Sequence, residues 1–114
     1  MLYLELPVGV GFSTSNNETS PVTDPVFVEE AVAALTAFYA RFQKMKKNEL
    51  YLTGHGYAAV FVTHFAKQIL DQNADPFSIY NDKWNLKGIL IGNPCVRADE
   101  CYASGSYRSS KYHY

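Results

Sequence analysis

The run Leu50-Tyr51-Leu52-Thr53-Gly54-His55-Gly56-Tyr57-Ala58-Ala59 holds the residue types and spacing that come nearest to chemistry. An apolar, aromatic-bearing stretch meets a glycine-bounded corner, and past the corner the sequence is mostly apolar as far as Leu70. That order predicts strand, sharp turn, helix. Such a corner displays a nucleophile when it reads Gly-x-Ser-x-Gly, because the side chain at the tip then stands clear of the backbone with its oxygen exposed. Here the tip is Gly56, which has no atom that can attack. Its neighbours do not replace it. Thr53 is still on the predicted strand, His55 precedes the tip and projects to another side, and Tyr57 offers a phenol, whose ordinary pKa of about 10 makes it too weak an acid for easy attack.

Other reactive residue types read as structure. His64 lies two turns beyond the tip in an apolar helical run and is expected to be a core histidine satisfied by a backbone carbonyl. Glu29 and Glu30 are adjacent on a predicted helix, so they do not face each other as an acid/base pair and are expected to be surface acids. Lys44, Lys46 and Lys47 read as a solvated helix end. Gly9-Val10-Gly11 lacks the third glycine, the following helix and the downstream acid of a dinucleotide fingerprint. Cys95 and Cys101 stand five residues apart, leaving both a small disulfide loop and two free thiols open; the spacing does not match a paired-knuckle zinc site. Asn17-Glu18-Thr19 fits the N-glycosylation sequon, which carries sugar only in a secretory compartment. No metal and no cofactor are expected.

The elements that must position the corner follow from pattern. Leu2-Tyr3-Leu4-Glu5 reads as a short strand before Pro7, then a glycine-punctuated turn to Ser13 and an exposed polar loop from Thr14 to Thr23. Thr23-Asp24-Pro25 offers a helix start, and Val28, Val32, Leu35, Phe38 and Phe42 recur at three to four residues to form one buried face. Glu49 to Thr53 is the next strand, and a buried helix runs from about Ala58 to Leu70. A polar loop spans Asp71 to Asp82, and a third strand lies in Trp84 to Pro94, stopped by Gly92-Asn93-Pro94. Strand, helix, strand, helix, strand implies an α/β fold with a parallel sheet and flanking helices. Residues 103–114 read as a tail or as the start of a helix whose packing partners lie elsewhere.

Composition bounds the rest. The chain has 114 residues, 47% hydrophobic and 18% charged, with a formal net charge of -1, so it reads as globular protein without the basic surface of a nucleic-acid binder. No apolar run approaches the roughly 20 residues needed to span a bilayer. The start, Met1 to Pro7, shows no basic segment followed by an apolar one of the signal-peptide kind.

Three separated segments resemble one family. Leu2-Tyr3-Leu4-Glu5-Leu6-Pro7-Val8-Gly9-Val10-Gly11-Phe12-Ser13 resembles the serine carboxypeptidase segment LYLEQPVGVGFSYS. Leu52-Thr53-Gly54-His55-Gly56-Tyr57-Ala58-Ala59 is similar to that family's TGESYAG, and Leu86-Lys87-Gly88-Ile89-Leu90-Ile91-Gly92-Asn93-Pro94 to its LKGIxIGNP. Order and spacing agree over residues 1–102, which the resemblance makes the central part of an α/β-hydrolase domain. The reaction it implies is release of C-terminal residues from peptides through an acyl-enzyme, in vacuoles, lysosomes or outside the cell. By the same resemblance the serine belongs at Gly56, the N–H of Tyr57 is one oxyanion donor, and the glutamate that helps hold the substrate's terminal carboxylate falls at His55. A second oxyanion donor, from a WNGGPG motif, and the triad Asp and His are not found within these residues.

The reading is therefore a partial or diverged serine carboxypeptidase-like chain that does not hydrolyse peptides by itself; loss of the serine alone costs such an enzyme about a million-fold in turnover. The alternative is a non-catalytic module that binds peptide C-termini or a protein partner at the corner. A third, a working enzyme completed by another chain, runs against Gly56. A protein partner covering exposed sheet edges is also expected, since three strands and two helices leave edges bare.

Overall fold

The computed structural model describes residues 1–15, 23–76 and 83–94. Cys95, Cys101, Asn17 and the 103–114 tail lie outside the described residues, as does the C-terminal limit of the central part at residue 102.

Helix α1 runs Asp24–Arg41, with Thr23 extended before it and a proline in the first turn. Pro25 fits there because its missing N–H is one the helix leaves unpaired anyway. The Thr23 side chain makes no capping bond, so Asp24 near the positive pole is the favourable charge at this end. The buried stripe is Phe27, Val28, Ala31, Val32 and Leu35. Phe38 is only partly buried, and Phe42, expected on the stripe, is 46% exposed because it leaves the helix as its C-cap. The basic residues expected to end this helix instead occupy a separate 3-10 turn, Gln43–Lys47.

Strand β1 (Leu50–His55) leads through the corner into α2 (Ala58–Ala74), which returns to β2 (Leu86–Gly92). Helix α2 is one turn longer than expected, absorbing Asp71 to Ala74. The two strands pair in parallel as a two-stranded sheet, with one register irregularity between Leu50 and Tyr51. Leu2 to Glu5, expected as a strand, has no ladder, and its residues are exposed. Alternating apolar residues favour extension, but a strand is completed only by a neighbour that takes its N–H and C=O groups, and none of the described residues does so.

The core forms where α1 and α2 meet on one side of this sheet. Phe27, Val28, Ala31, Val32, Leu35, Phe65, Ile69 and Trp84 are buried together, with Leu50, Leu52 and Leu86 from the strands packed against them. Phe27 stacks on Phe61 at 4.1 Å, joining the helices, and Tyr39 meets Trp84 edge-on at 5.8 Å. Asn73 clamps the segment after α2. Its Nδ2 donates to the Trp84 carbonyl at 2.9 Å, and the Trp84 N–H donates to its Oδ1 at 2.8 Å, satisfying the backbone of a buried residue just before β2. The opposite face of the sheet is open, with Tyr51 53% and Leu90 56% exposed. No helix among the described residues is long and apolar enough to cross a membrane.

Candidate active site

The corner is built by two glycines with different tasks. Gly54, the penultimate residue of β1, lets α2 pack directly on the strand: a Cβ there would lie 2.8 Å from Val62 Cγ2 and 2.9 Å from the Ala58 carbonyl oxygen. Gly56 turns the chain at a φ of +65°, in the left-handed region that glycine enters without penalty. Its N–H donates to the Gly92 carbonyl at 2.9 Å, tying the tip to the end of β2. The Gly56 carbonyl then accepts from the Ala59 N–H at 3.2 Å, and the Tyr57 carbonyl from Val60 at 3.0 Å, so the turn passes at once into the helix. A Cβ built on Gly56 would meet nothing within 4 Å. The corner thus holds its tip in the open with no side chain on it.

His55 is exposed as the last residue of β1, opposite Gly92 in the register. Its ring lies 3.1 Å from where a Gly92 Cβ would stand, so the glycine gives the imidazole its room on the open side of the sheet. Tyr57 is in helical conformation at the start of α2 with its ring edge-on to Phe61 at 5.2 Å. The fold therefore brings His55, Gly56 and Tyr57 together at the carboxyl end of the parallel strands, where open α/β sheets place their ligands. Beyond them Asn93 takes a left-handed φ of 45°, turning the chain away from β2.

Two expectations about reactive residues are corrected. His64 is not a core histidine: it is exposed and lines a groove of ≈ 560 Å³ between α1 and α2, with Val28, Glu29, Val32 and Lys67, on the surface of the helix layer. The apolar run around it suggested burial on all sides, but only the Phe65, Ala66 and Ile69 side of α2 meets the core. Glu30 is more than a surface acid, because its Oε2 accepts the Val8 N–H at 2.9 Å. Together with Glu5, whose Oε2 accepts the Phe12 N–H at 2.7 Å, it holds the Pro7 to Ser13 turn. Gly11 is what lets the Glu5 carboxylate in, since any Cβ there would overlap it. Neither clasp was apparent in the sequence, because each joins a carboxylate to backbone groups whose direction no side-chain pattern reports.

The backbone is similar to that of a solved Saccharomyces cerevisiae protein, Kex1(delta)p, described as a prohormone-processing carboxypeptidase, with a TM-score of 0.68 over 94% of this chain and 24% of that one, at 23% identity. The fold is accordingly a partial α/β-hydrolase fold. The family model for serine carboxypeptidase matches residues 1–112. Similar proteins include serine carboxypeptidase-like 26 of Oryza sativa subsp. japonica, 37% identical over 91% of this chain and 21% of its own length. Another is the pheromone-processing carboxypeptidase KEX1 of Pyricularia oryzae, 32% identical over 90% of this chain and 16% of its own. This chain belongs to the serine carboxypeptidase family, and it spans about a fifth of the length of the curated relatives it matches.

Proposed function

We propose that this chain is a non-hydrolytic member of its family, with a nucleophile seat that is formed but unfilled. The observation that carries the reading is Gly56: the tip is posed at φ +65° with open space where a side chain would stand, and it has no hydroxyl. A serine hydrolase needs that oxygen, a histidine to take its proton, an acid to orient the histidine, and two N–H donors for the oxyanion. Tyr57 is assigned one donor by its place after the tip. The tip itself, Gly56, carries no oxygen for a base to activate. Residues 1–102 are read as the central part of the hydrolase domain, and the family's secretory, vacuolar or extracellular setting is carried over with it.

The test is incubation of the purified chain with a fluorophosphonate probe and with a blocked dipeptide. We expect no covalent label and no released amino acid; stoichiometric labelling would overturn the reading. The second reading, a site that binds peptide C-termini, is favoured by the exposure of His55 at the corner, where an imidazolium would attract a carboxylate. Titration of short C-terminal peptides at acid and neutral pH checks it, with saturable binding at acid pH that His55→Ala abolishes as the expected result. No binding at either pH would end it.

A further inference from the structure

We propose that the connection between α1 and β1 is a processing site for an endoprotease specific for basic residues, which hydrolyses the Lys44–Met45 bond and converts the chain into two pieces that stay together. The first lysine or arginine of the sequence is Arg41, and Arg41, Lys44, Lys46 and Lys47 then fall within seven residues, four of the ten such residues in the chain. Helix α1 ends at Arg41, β1 begins at Leu50, and the Gln43–Lys47 turn between them buries none of its residues. Phe42 is 46% exposed and Met45 49%. The turn is held by local bonds, from the Met45 N–H to the Phe42 carbonyl at 2.9 Å and from the Asn48 N–H to the Met45 carbonyl at 3.0 Å, so it opens without disturbing either neighbouring element. Its composition marks it as a surface that stays in water: residues 41–48 hold no carboxylate, and chain laid over them would strip water from a cluster of like charges.

A protease takes its substrate as extended chain on both sides of the scissile bond, so the segment must open locally before it is cut. Around Lys44 that stretch lies within the turn and the residues flanking it. The alternatives draw in packed elements. Lys67 is inside α2 and Lys87 inside β2. Lys83 precedes buried Trp84, whose N–H, the group that would leave as an amine, donates to Asn73 Oδ1 at 2.8 Å. Arg41 is the last residue of α1, and a cut after Lys47 opens the end that Asn85 holds, its Nδ2 donating to the Asn48 carbonyl at 3.2 Å. Hydrolysis adds one water across the Lys44–Met45 bond, leaving a carboxylate on Lys44 and an amine on Met45. The pieces stay joined because the cut misses the core. Phe27, Val28, Val32 and Leu35 precede it, Phe65 and Ile69 follow it, and Phe27 stacks on Phe61 across the two pieces at 4.1 Å. The corner at His55 to Tyr57 lies at the far end of β1, so the nick leaves it intact.

Trypsin at a low ratio to the whole chain, under native conditions and followed by mass spectrometry, is the probe. The quantity read is the first break between residues 1 and 94, which cuts after Arg97, Arg108 or Lys111 do not change. That break should fall after Lys44, giving a piece of residues 1–44 and a second beginning at Met45, which elute together in size exclusion and separate in denaturant. In the triple variant Lys44→Gln, Lys46→Gln and Lys47→Gln the rate of breakage should fall by about tenfold or more. Its urea midpoint, matching the parent's, separates loss of the site from a change in stability. A first break after any other residue, a triple variant cut as fast as the parent, or pieces that part as soon as they form would each overturn the proposal.

Discussion

Gly54 and Gly56 stand two residues apart and resist substitution for opposite reasons. At Gly56 the obstacle is the backbone alone: a side chain has room but the left-handed φ strains any L-residue. Gly56→Ser should therefore fold, lose about 1–3 kcal/mol in denaturant unfolding, and remain unlabelled by a fluorophosphonate, because a hydroxyl without a base is not a nucleophile. At Gly54 the obstacle is space: Gly54→Ala drives a methyl into Val62 and the Ala58 carbonyl, and either the strand or the helix must move. That overpacking should cost about 1–3 kcal/mol and reduce the cooperativity of unfolding, whereas Gly56→Ser leaves cooperativity unchanged. The identity of the tip was legible from the sequence. The roomlessness of Gly54 was not, since it depends on how closely α2 approaches β1.

At the scale of elements, helix patterns were the most informative because a helix makes its own hydrogen bonds. Both helices were readable, α1 from the spacing of its apolar residues and α2 from the apolar run past the corner, with errors at their ends, where Phe42 leaves the stripe and α2 continues through Asp71 to Ala74. Leu2 to Glu5 shows the converse: the same alternation that marks β1 produces no strand where none of the described residues pairs with it. The return from α2 to β2 rests on Asn73, whose amide bonds the Trp84 backbone twice. Asn73→Ala leaves the Trp84 N–H without its acceptor and takes one donor from the Trp84 carbonyl, which keeps the Leu86 N–H at 2.8 Å; it should destabilise by about 1–3 kcal/mol, measured by urea unfolding, with the loss reflected in Trp84 fluorescence.

At the scale of the molecule, the described residues pack through an apolar layer between the helices and one side of the two-stranded sheet. Ile69 is fully buried at the centre of that layer, so Ile69→Ala should cost about 2–5 kcal/mol by denaturant unfolding. Tyr39 at the layer's edge gives a pH signature. Burial holds its phenol above the ordinary value, so the folded chain keeps a proton that the unfolded chain releases first. The resulting stability is complete below about pH 10 and is lost as pH rises through the folded value. Above pH 10 the stability of the parent should fall more steeply than that of Tyr39→Phe, followed by thermal melts across pH 8 to 11. Tyr51, raised by its hydrogen bond to Glu49 and by the Glu49 charge, titrates in both proteins and does not confound the comparison.

Local order, the family segments and the missing hydroxyl are properties of the chain as written. Period and turn chemistry act over a few residues, so the strand, corner and helix around Gly56 and the family resemblance were determined by sequence alone. Tertiary structure decided what depends on distance between remote residues: the Gly92 carbonyl that pins the tip, the two glutamates that hold the glycine turn, the exposure of His64, and the open face and edge of the sheet. Those outcomes require two parts of the chain to meet, and no short-range pattern encodes the meeting.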